Sequence, residues 1–405
     1  MLMYDRFQHL RAESAKSGAD AIVALLNRVL AEGAAENVSD IHFQPQQQGV
    51  EIRFRLDGVL RSFGWLEPEY TAQIAARLKV LAQLLTYKTD TPQEGRVRSG
   101  TVPGVDKEMR ISTAATLYGE RVVVRFFAEE NRFRYPDELG FTPEILDKLR
   151  HALRGNSGAV LITGPSGSGK TTTAYALLRE LVDRGETLRS VITLEDPIEH
   201  AIDRIAQLEL NDRNSLSLGE MIKYMLRQDP EVLFVGEIRD SDTAQSAMQA
   251  ALTGHLLITT LHAGTAIDAV VRLCDMGLEP FILRSGITFV SCQRLARKLC
   301  SECREIRSEP LSISLAGEVY HLKFHAVATG CPKCNSSGYS GRILLAESLP
   351  LADDRLMRSL LDRSDTKTIR DLAVGGGMVP MTTSAVALME THLTSPQEIR
   401  RVFGK

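Results

Sequence analysis

Between Ala19 and Leu30, the residues Ile22, Leu25, Leu26 and Val29 recur at helical spacing, so the segment reads as a helix with one apolar face. The period then changes. Val50, Ile52, Phe54 and Leu56 alternate with Glu51, Arg53, Arg55 and Asp57, the pattern of a half-buried strand. Asp57-Gly58 turns this strand into Val59-Leu60 as a hairpin. Ile74, Leu78, Leu81 and Leu85 return to helical spacing, and Ile111 and Val122–Phe127 read as further strands. These elements predict a compact α+β domain over 37–130, preceded by a helical segment at 1–36. The polar stretch Asn131–Leu139 (NRFRYPDEL) reads as a linker. From Gly140 the pattern becomes strand, loop, helix, repeated. Ala159–Thr163, Ser190–Leu194, Val232–Val235 and Leu256–Thr260 are short apolar runs separated by helical segments, as in a mostly parallel sheet covered on both faces. This α/β domain is expected to occupy 140–405, with a cysteine-bearing insert at 295–345 and short helices over 346–405. No internal repeat or low-complexity tract is seen.

A length of 405 residues fits two or three domains. Hydrophobic residues make up 43% and charged residues 24%, which excludes a disordered chain, a collagen or a coiled-coil rod. The net charge of −3, with no clustered basic stripe along the sequence, argues against nucleic acid as the main partner. No apolar run approaches the length of a membrane span, and the opening MLMYDRFQHLRAES lacks the apolar core of a secretory signal. The expected location is the cytoplasm. Six cysteines are too few for a disulfide scaffold in a chain of this length.

The strongest chemical signal is GPSGSGKT, comprising Gly164, Pro165, Ser166, Gly167, Ser168, Gly169, Lys170 and Thr171, with Thr172 opening the helix that follows. It matches G-x-x-x-x-G-K-[ST] between an apolar strand and a helix, the setting in which backbone N–H groups curl around phosphate. The helix start adds a favourable dipole. Lys170 is expected to reach the β- and γ-phosphates of ATP, and the Thr171 hydroxyl to hold Mg²⁺.

Two acidic clusters follow apolar strands: Glu195, Asp196 and Glu199 in VITLEDPIEH, and Glu237, Arg239 and Asp240 in VLFVGEIRD. Carboxylates at the C-terminal ends of parallel strands face the ligand crevice, where they manage Mg²⁺ and water. Gly236 stands where an aspartate usually precedes the glutamate, so Glu237 carries this role alone or with Glu195. His255 and His262 flank the next apolar run, and a histidine at a strand end can sense a γ-phosphate or support a catalytic carboxylate.

Cys300-x-x-Cys303 and Cys331-x-x-Cys334 form two pairs separated by 27 residues. Four thiolates suit a closed tetrahedral Zn²⁺ site, which is structural rather than hydrolytic. Lys298, Arg304 and Lys333 lie nearby to offset the charge, and Pro332 and Gly338 fit the tight turns. Cys274 and Cys292 read as ordinary core residues.

Together, Gly164–Thr171, Ile192–His200, Leu226–Asp240 and Thr253–His262 closely resemble the secretion ATPase superfamily, in its type II secretion and type IV pilus assembly branch. SDIHFQP (Ser39–Pro45) and TPQEGR (Thr91–Arg96) are similar to that branch's preceding domain, and the resemblance covers about residues 37–345. It implies an α+β N-terminal domain followed by an α/β RecA-like P-loop ATPase domain with a tetracysteine zinc insert and a helical C-terminal tail. It also implies a hexameric ring at the inner membrane. The expected partners are a platform protein and a cytoplasmic or membrane-anchored docking protein, and the output is assembly of a pilus or secretion pseudopilus. By position, Arg96 and Arg110 resemble the family's arginine donors to the nucleotide, and Arg227 and Arg239 are further contact candidates. The chain departs from the family pattern at Gln44, Glu94, Lys223 and Gly236. It also has Ala-Gly-Thr after His262, which makes His255 the expected functional histidine. With only about 36 residues before SDIHF, the extra docking domain of fuller members is expected to be absent or supplied elsewhere.

Three competing functions are consistent with a phosphate loop. A pilus-retraction ATPase belongs to the same class, but a tetracysteine insert is a feature of the assembly branch and argues against it. A nucleic-acid motor is disfavoured by the acidic charge balance. A non-hydrolysing scaffold, ordered by nucleotide alone, is disfavoured by the complete set of Lys170, Thr171 and Glu237.

Overall fold

The computed structural model describes residues 3–127, 133–210, 216–351 and 353–404, and the start of the expected linker, at 131–132, lies outside them. The chain divides into two compact units. The first is Met1–Arg132 together with Cys300–Arg304 and Ala328–Gly341, and the second is the remainder.

In the first unit, helices α1 (Met3–Ser14), α2 (Ala21–Ala35) and α3 (Thr71–Leu81) accompany six strands. These are β1 (Asp40–Gln46), β2 (Gly49–Leu56), β3 (Val59–Leu66), β4 (Gln93–Val97), β5 (Met109–Thr116) and β6 (Gly119–Phe126). They form one antiparallel sheet in the order β3-β2-β1-β6-β5-β4. The alternation read in the sequence sends Ile41, Phe43, Ile52, Phe54, Ile111 and Val124 into the core with Leu26, Leu30 and Leu78 of the helices. Phe7 of α1 packs edge-on against Phe63, which stacks on Phe54. Gly64 makes room for it, since a Cβ there would lie 2.2 Å from the Phe7 ring. The helix expected from Ile74 ends at Leu81, and Leu85 is exposed. The reason is a polar pin: Gln93 accepts from Leu85 N–H (2.9 Å) and donates to the carbonyls of Leu85 (2.9 Å) and Lys88 (2.8 Å). The fully buried Lys79 donates to the same Lys88 carbonyl (2.6 Å) and pairs with Glu120 (2.5 Å).

The second unit is built on a sheet of order β17-β12-β7-β11-β10-β8-β9. Its strands are β7 (Gly158–Thr163), β8 (Val191–Glu195), β9 (Ala206–Glu209), β10 (Val232–Val235), β11 (Leu256–Leu261), β12 (Ile287–Leu299) and β17 (Tyr339–Ser348). From β12 through β9 they run parallel. Helices α4 (Pro143–Arg154) and α5 (Lys170–Arg184) help cover one apolar face. On the other lie α6 (Leu218–Met225), α7 (Ser241–Leu252), α8 (Ala266–Asp275), α9 (Pro280–Gly286) and the terminal helices α10 (Asp354–Leu361), α11 (Thr366–Gly375), α12 (Met381–Glu390) and α13 (Pro396–Phe403). The segment expected to be a turn-rich insert contains strands β13 (Arg304–Arg307), β14 (Leu311–Leu315), β15 (Glu318–Leu322) and β16 (His325–Ala328), and Ile313, Leu315 and Leu322 join the sheet's core.

Trp65 on β3 is the chain's single tryptophan and reports on the first unit. Lys79→Met leaves Glu120 buried without its cation, and unfolding followed by Trp65 fluorescence is expected to show a loss of about 3–5 kcal/mol.

Candidate active site

In parallel strands all C-terminal ends point the same way, and three of them meet at the phosphate loop. β7 leads into Gly164, β10 into Gly236-Glu237, and β11 into His262. Gly167 (φ +75°) and Gly169 (φ +89°) take left-handed backbone, and a Cβ on Gly167 would meet open space. Ser168 is buried with an unpartnered hydroxyl. Open space beside the loop and an orphaned donor within it fit an anion.

Lys170 is only 9% exposed. Its ammonium donates to the carbonyls of Gly164 (2.9 Å) and Pro165 (3.1 Å) and to His262 Nδ1 (3.3 Å). With Nδ1 facing the lysine, His262 Nε2 lies 2.8 Å from Glu237 Oε1. Arg239 Nε donates to the other Glu237 oxygen (2.7 Å), and its guanidinium lies 3.9 Å from Asp196. Burial holds the Lys170 pKa below the usual lysine range, against the opposing pull of Glu237. Thr171 and Thr172 follow Lys170 in the first turn of α5.

Glu195 is placed differently. It is buried, and accepts from Tyr175, from Thr193 (2.6 Å) and from Gln207 (3.1 Å). The Tyr175 oxygen in turn accepts from Glu199 N–H (3.1 Å). Burial, then the Glu195 charge, raises the Tyr175 pKa above the usual phenol range. With its oxygens so occupied, Glu195 anchors the Asp196–His200 segment, and Glu237 is the carboxylate beside Lys170.

His255 lies before β11, whereas the phosphate loop is at the sheet's other end, roughly 20 Å away along a six-residue strand. There it contacts the Ala250 carbonyl through Nδ1 (3.1 Å). The sequence reading favoured His255 as the functional histidine; in the structure it is His262 that lies between the lysine and the carboxylate. Asp240 caps α7 through Thr243 (2.8 Å), and Arg227 donates to the Lys223 carbonyl (3.0 Å). Tyr175 and Gln207 escape sequence reasoning because neither belongs to a recognisable pattern.

Arg96 and Arg110 are directly opposite on β4 and β5, so they share one face of the first unit's sheet. The register continues this row through Arg125, Asp40 and Arg55. Four arginines thus line up across the strands, a stripe the linear sequence conceals. Asp40 pairs with Arg125 (2.8 Å) and Arg55 (3.3 Å), and Glu94 with Arg110 (3.2 Å). Beside the row, Arg121 donates to His42 Nδ1 (3.0 Å).

The sulfurs of Cys300, Cys303, Cys331 and Cys334 all lie within 4.8 Å of one another. Three of these separations are 3.9, 3.8 and 3.7 Å. Tetrahedral thiolates bound at about 2.3 Å would be roughly 3.8 Å apart, so the cluster fits a metal ion. Cys331 N–H and Gly338 N–H each donate to Cys334 Sγ at 3.2 Å. Asn335 (φ 49°) then joins the cluster to α1, the end of α2 and β3, accepting from Arg6 (3.5 Å), donating to Glu36 (2.6 Å) and, at its carbonyl, accepting from Arg61 (3.3 Å).

Burial, then Arg121, lowers the His42 pKa to about 4. The unfolded imidazole binds its proton near the ordinary value of about 6.5, so stability of the first unit is lost as pH falls from about 6.5 toward 4. His42→Gln should flatten that part of the Trp65-detected profile. Cys334→Ser should lower bound metal from one ion per chain to near zero by atomic emission, and speed proteolysis within α1.

The profile of the type II/IV secretion system protein family matches residues 15–401. Type II secretion system protein HxcR of Pseudomonas aeruginosa is 37% identical over 381 residues, which cover 94% of this chain and 77% of that protein. Type II secretion system ATPase E of Vibrio cholerae is 42% identical over 339 residues, covering 83% of this chain and 66% of that protein. The X-ray structure of the Legionella pneumophila ATPase DotB shares the fold, with a TM-score of 0.68 at 20% identity over 93% of this chain and 94% of that one. With its phosphate loop, its acidic strand ends and a match spanning nearly the whole sequence, the chain belongs to the type II/IV secretion system protein family.

Proposed function

We propose that this chain is the ATP-hydrolysing motor subunit that powers assembly of a type IV pilus or a type II secretion pseudopilus. The observation that carries the reading is the contact chain Lys170–His262–Glu237 at the mouth of the phosphate loop. Lys170 binds the β- and γ-phosphates of ATP, exchanging its loop carbonyls for phosphate oxygens. Thr171 holds Mg²⁺, which when bound supplies further charge neutralisation. Glu237 orients the water that attacks the γ-phosphorus. Arg239 donates to one Glu237 oxygen and His262 stands against the other, and together they fix the carboxylate's direction. Arg96 and Arg110 are the proposed arginine donors to the phosphates, a role suited to two guanidiniums side by side on one sheet face. The four cysteines hold Zn²⁺ with no position open for catalysis. The working form is a homo-hexamer acting on an inner-membrane platform protein and held by a docking protein. No described helix is long and apolar enough to cross a membrane, so the proposed association with the inner membrane runs through those partners.

ATP turnover per subunit is expected to rise cooperatively with protein concentration. Glu237→Gln should cut it by about 100-fold or more while ADP still binds. Equal turnover in the variant and the parent would remove Glu237 from the chemistry.

A further inference from the structure

We infer that Gln293 is a positioning residue of the phosphate loop, which turns the Gly169 N–H toward the bound phosphates. β12 lies beside β7 with Cys292 opposite Thr163, so Gln293 comes next to the point where the loop begins. It is fully buried on β12, between Cys292 and Arg294. Both ends of that amide are used. Nε2 donates to the Ser168 carbonyl (2.9 Å), and Oε1 accepts from the Thr173 hydroxyl (3.1 Å). The loop is seated closely on this residue. A Cβ on Gly164 would fall 2.3 Å from the Gln293 carbonyl oxygen, and one on Gly169 would fall 3.3 Å from Nε2.

The geometry of the peptide group supplies the role. In a trans peptide the C=O and N–H point in opposite directions. Drawing the Ser168 carbonyl toward β12 therefore sends the Gly169 N–H to the side away from β12. Gln293 touches no substrate itself. It selects one of two orientations for a peptide whose N–H is a phosphate donor. This inference rests on the phosphate-loop reading above.

The test uses the full chain with two substitutions. Gln293→Met keeps length and volume but loses both hydrogen bonds. Gln293→Glu keeps the acceptor for Thr173 and sets a carboxylate oxygen against the Ser168 carbonyl. Fluorescent ADP with Mg²⁺ is titrated against each. Affinity is expected to fall about tenfold or more for Gln293→Glu and several-fold for Gln293→Met, since about one hydrogen bond's worth of binding is lost. KM for ATP should rise with it while kcat changes little, a split that a general loss of folded protein would not give. Melting temperature and bound metal are measured alongside, and if Gln293→Glu does not fold, Gln293→Met decides. Parent-like affinity and KM in the folded variants would overturn the inference, as would a fall in kcat at unchanged KM. Lys170→Ala separates the two levels. If it binds ADP like the parent, the phosphate-loop reading fails. If it loses ADP while both Gln293 variants keep it, only the inference about Gln293 fails.

Discussion

The ammonium of Lys170 sets the terms for the second unit. A charge in a nearly closed space is tolerated only when its protons have acceptors and an opposite charge stands near. Lysine has three protons to place, and here the carbonyls of Gly164 and Pro165 and the ring of His262 take them, with Glu237 beyond the histidine. Those groups stand at the ends of three different strands, β7, β10 and β11. A single cation therefore requires the register that sets Thr163 opposite Leu261 and Val235 opposite Thr259. The apolar strands make that register firm, because each is buried along its whole length.

The same logic separates the two carboxylates. Glu195 and Glu237 both follow apolar strands, yet the first is consumed by Tyr175, Thr193 and Gln207 and serves the backbone that follows it. The second is held by a histidine and an arginine that also lie at the loop's mouth. Environment, not residue type, divides the structural acid from the one beside the lysine.

In the first unit the constraint is a sheet with two unlike faces. One is covered by three helices and is apolar, and the other carries the arginine row with Asp40 and Glu94 set into it. The tetracysteine cluster groups with this unit, although its sequence lies within the stretch that otherwise builds the second. A segment this small has little core of its own, and a metal ion held by the four cysteines would supply the cross-link that a core otherwise provides. Asn335 adds the specificity, reaching Glu36, Arg6 and Arg61 from one left-handed turn.

What the sequence by itself determined is what short stretches of chain encode. The phosphate loop is eight consecutive residues, the paired cysteines are local turns, and the alternation from Val50 to Asp57 needs only its own strand. These were legible because their geometry is set by neighbours along the chain. Tertiary structure decided the rest. Whether His255 or His262 meets Lys170 depends on which end of β11 adjoins the loop. The arginine row exists only once β4, β5, β6, β1 and β2 are in register. Gln293 reaches Ser168 across 125 positions of sequence. In each case the partners are brought together by strand pairing, a non-local interaction that leaves no period or motif in the linear order of residues.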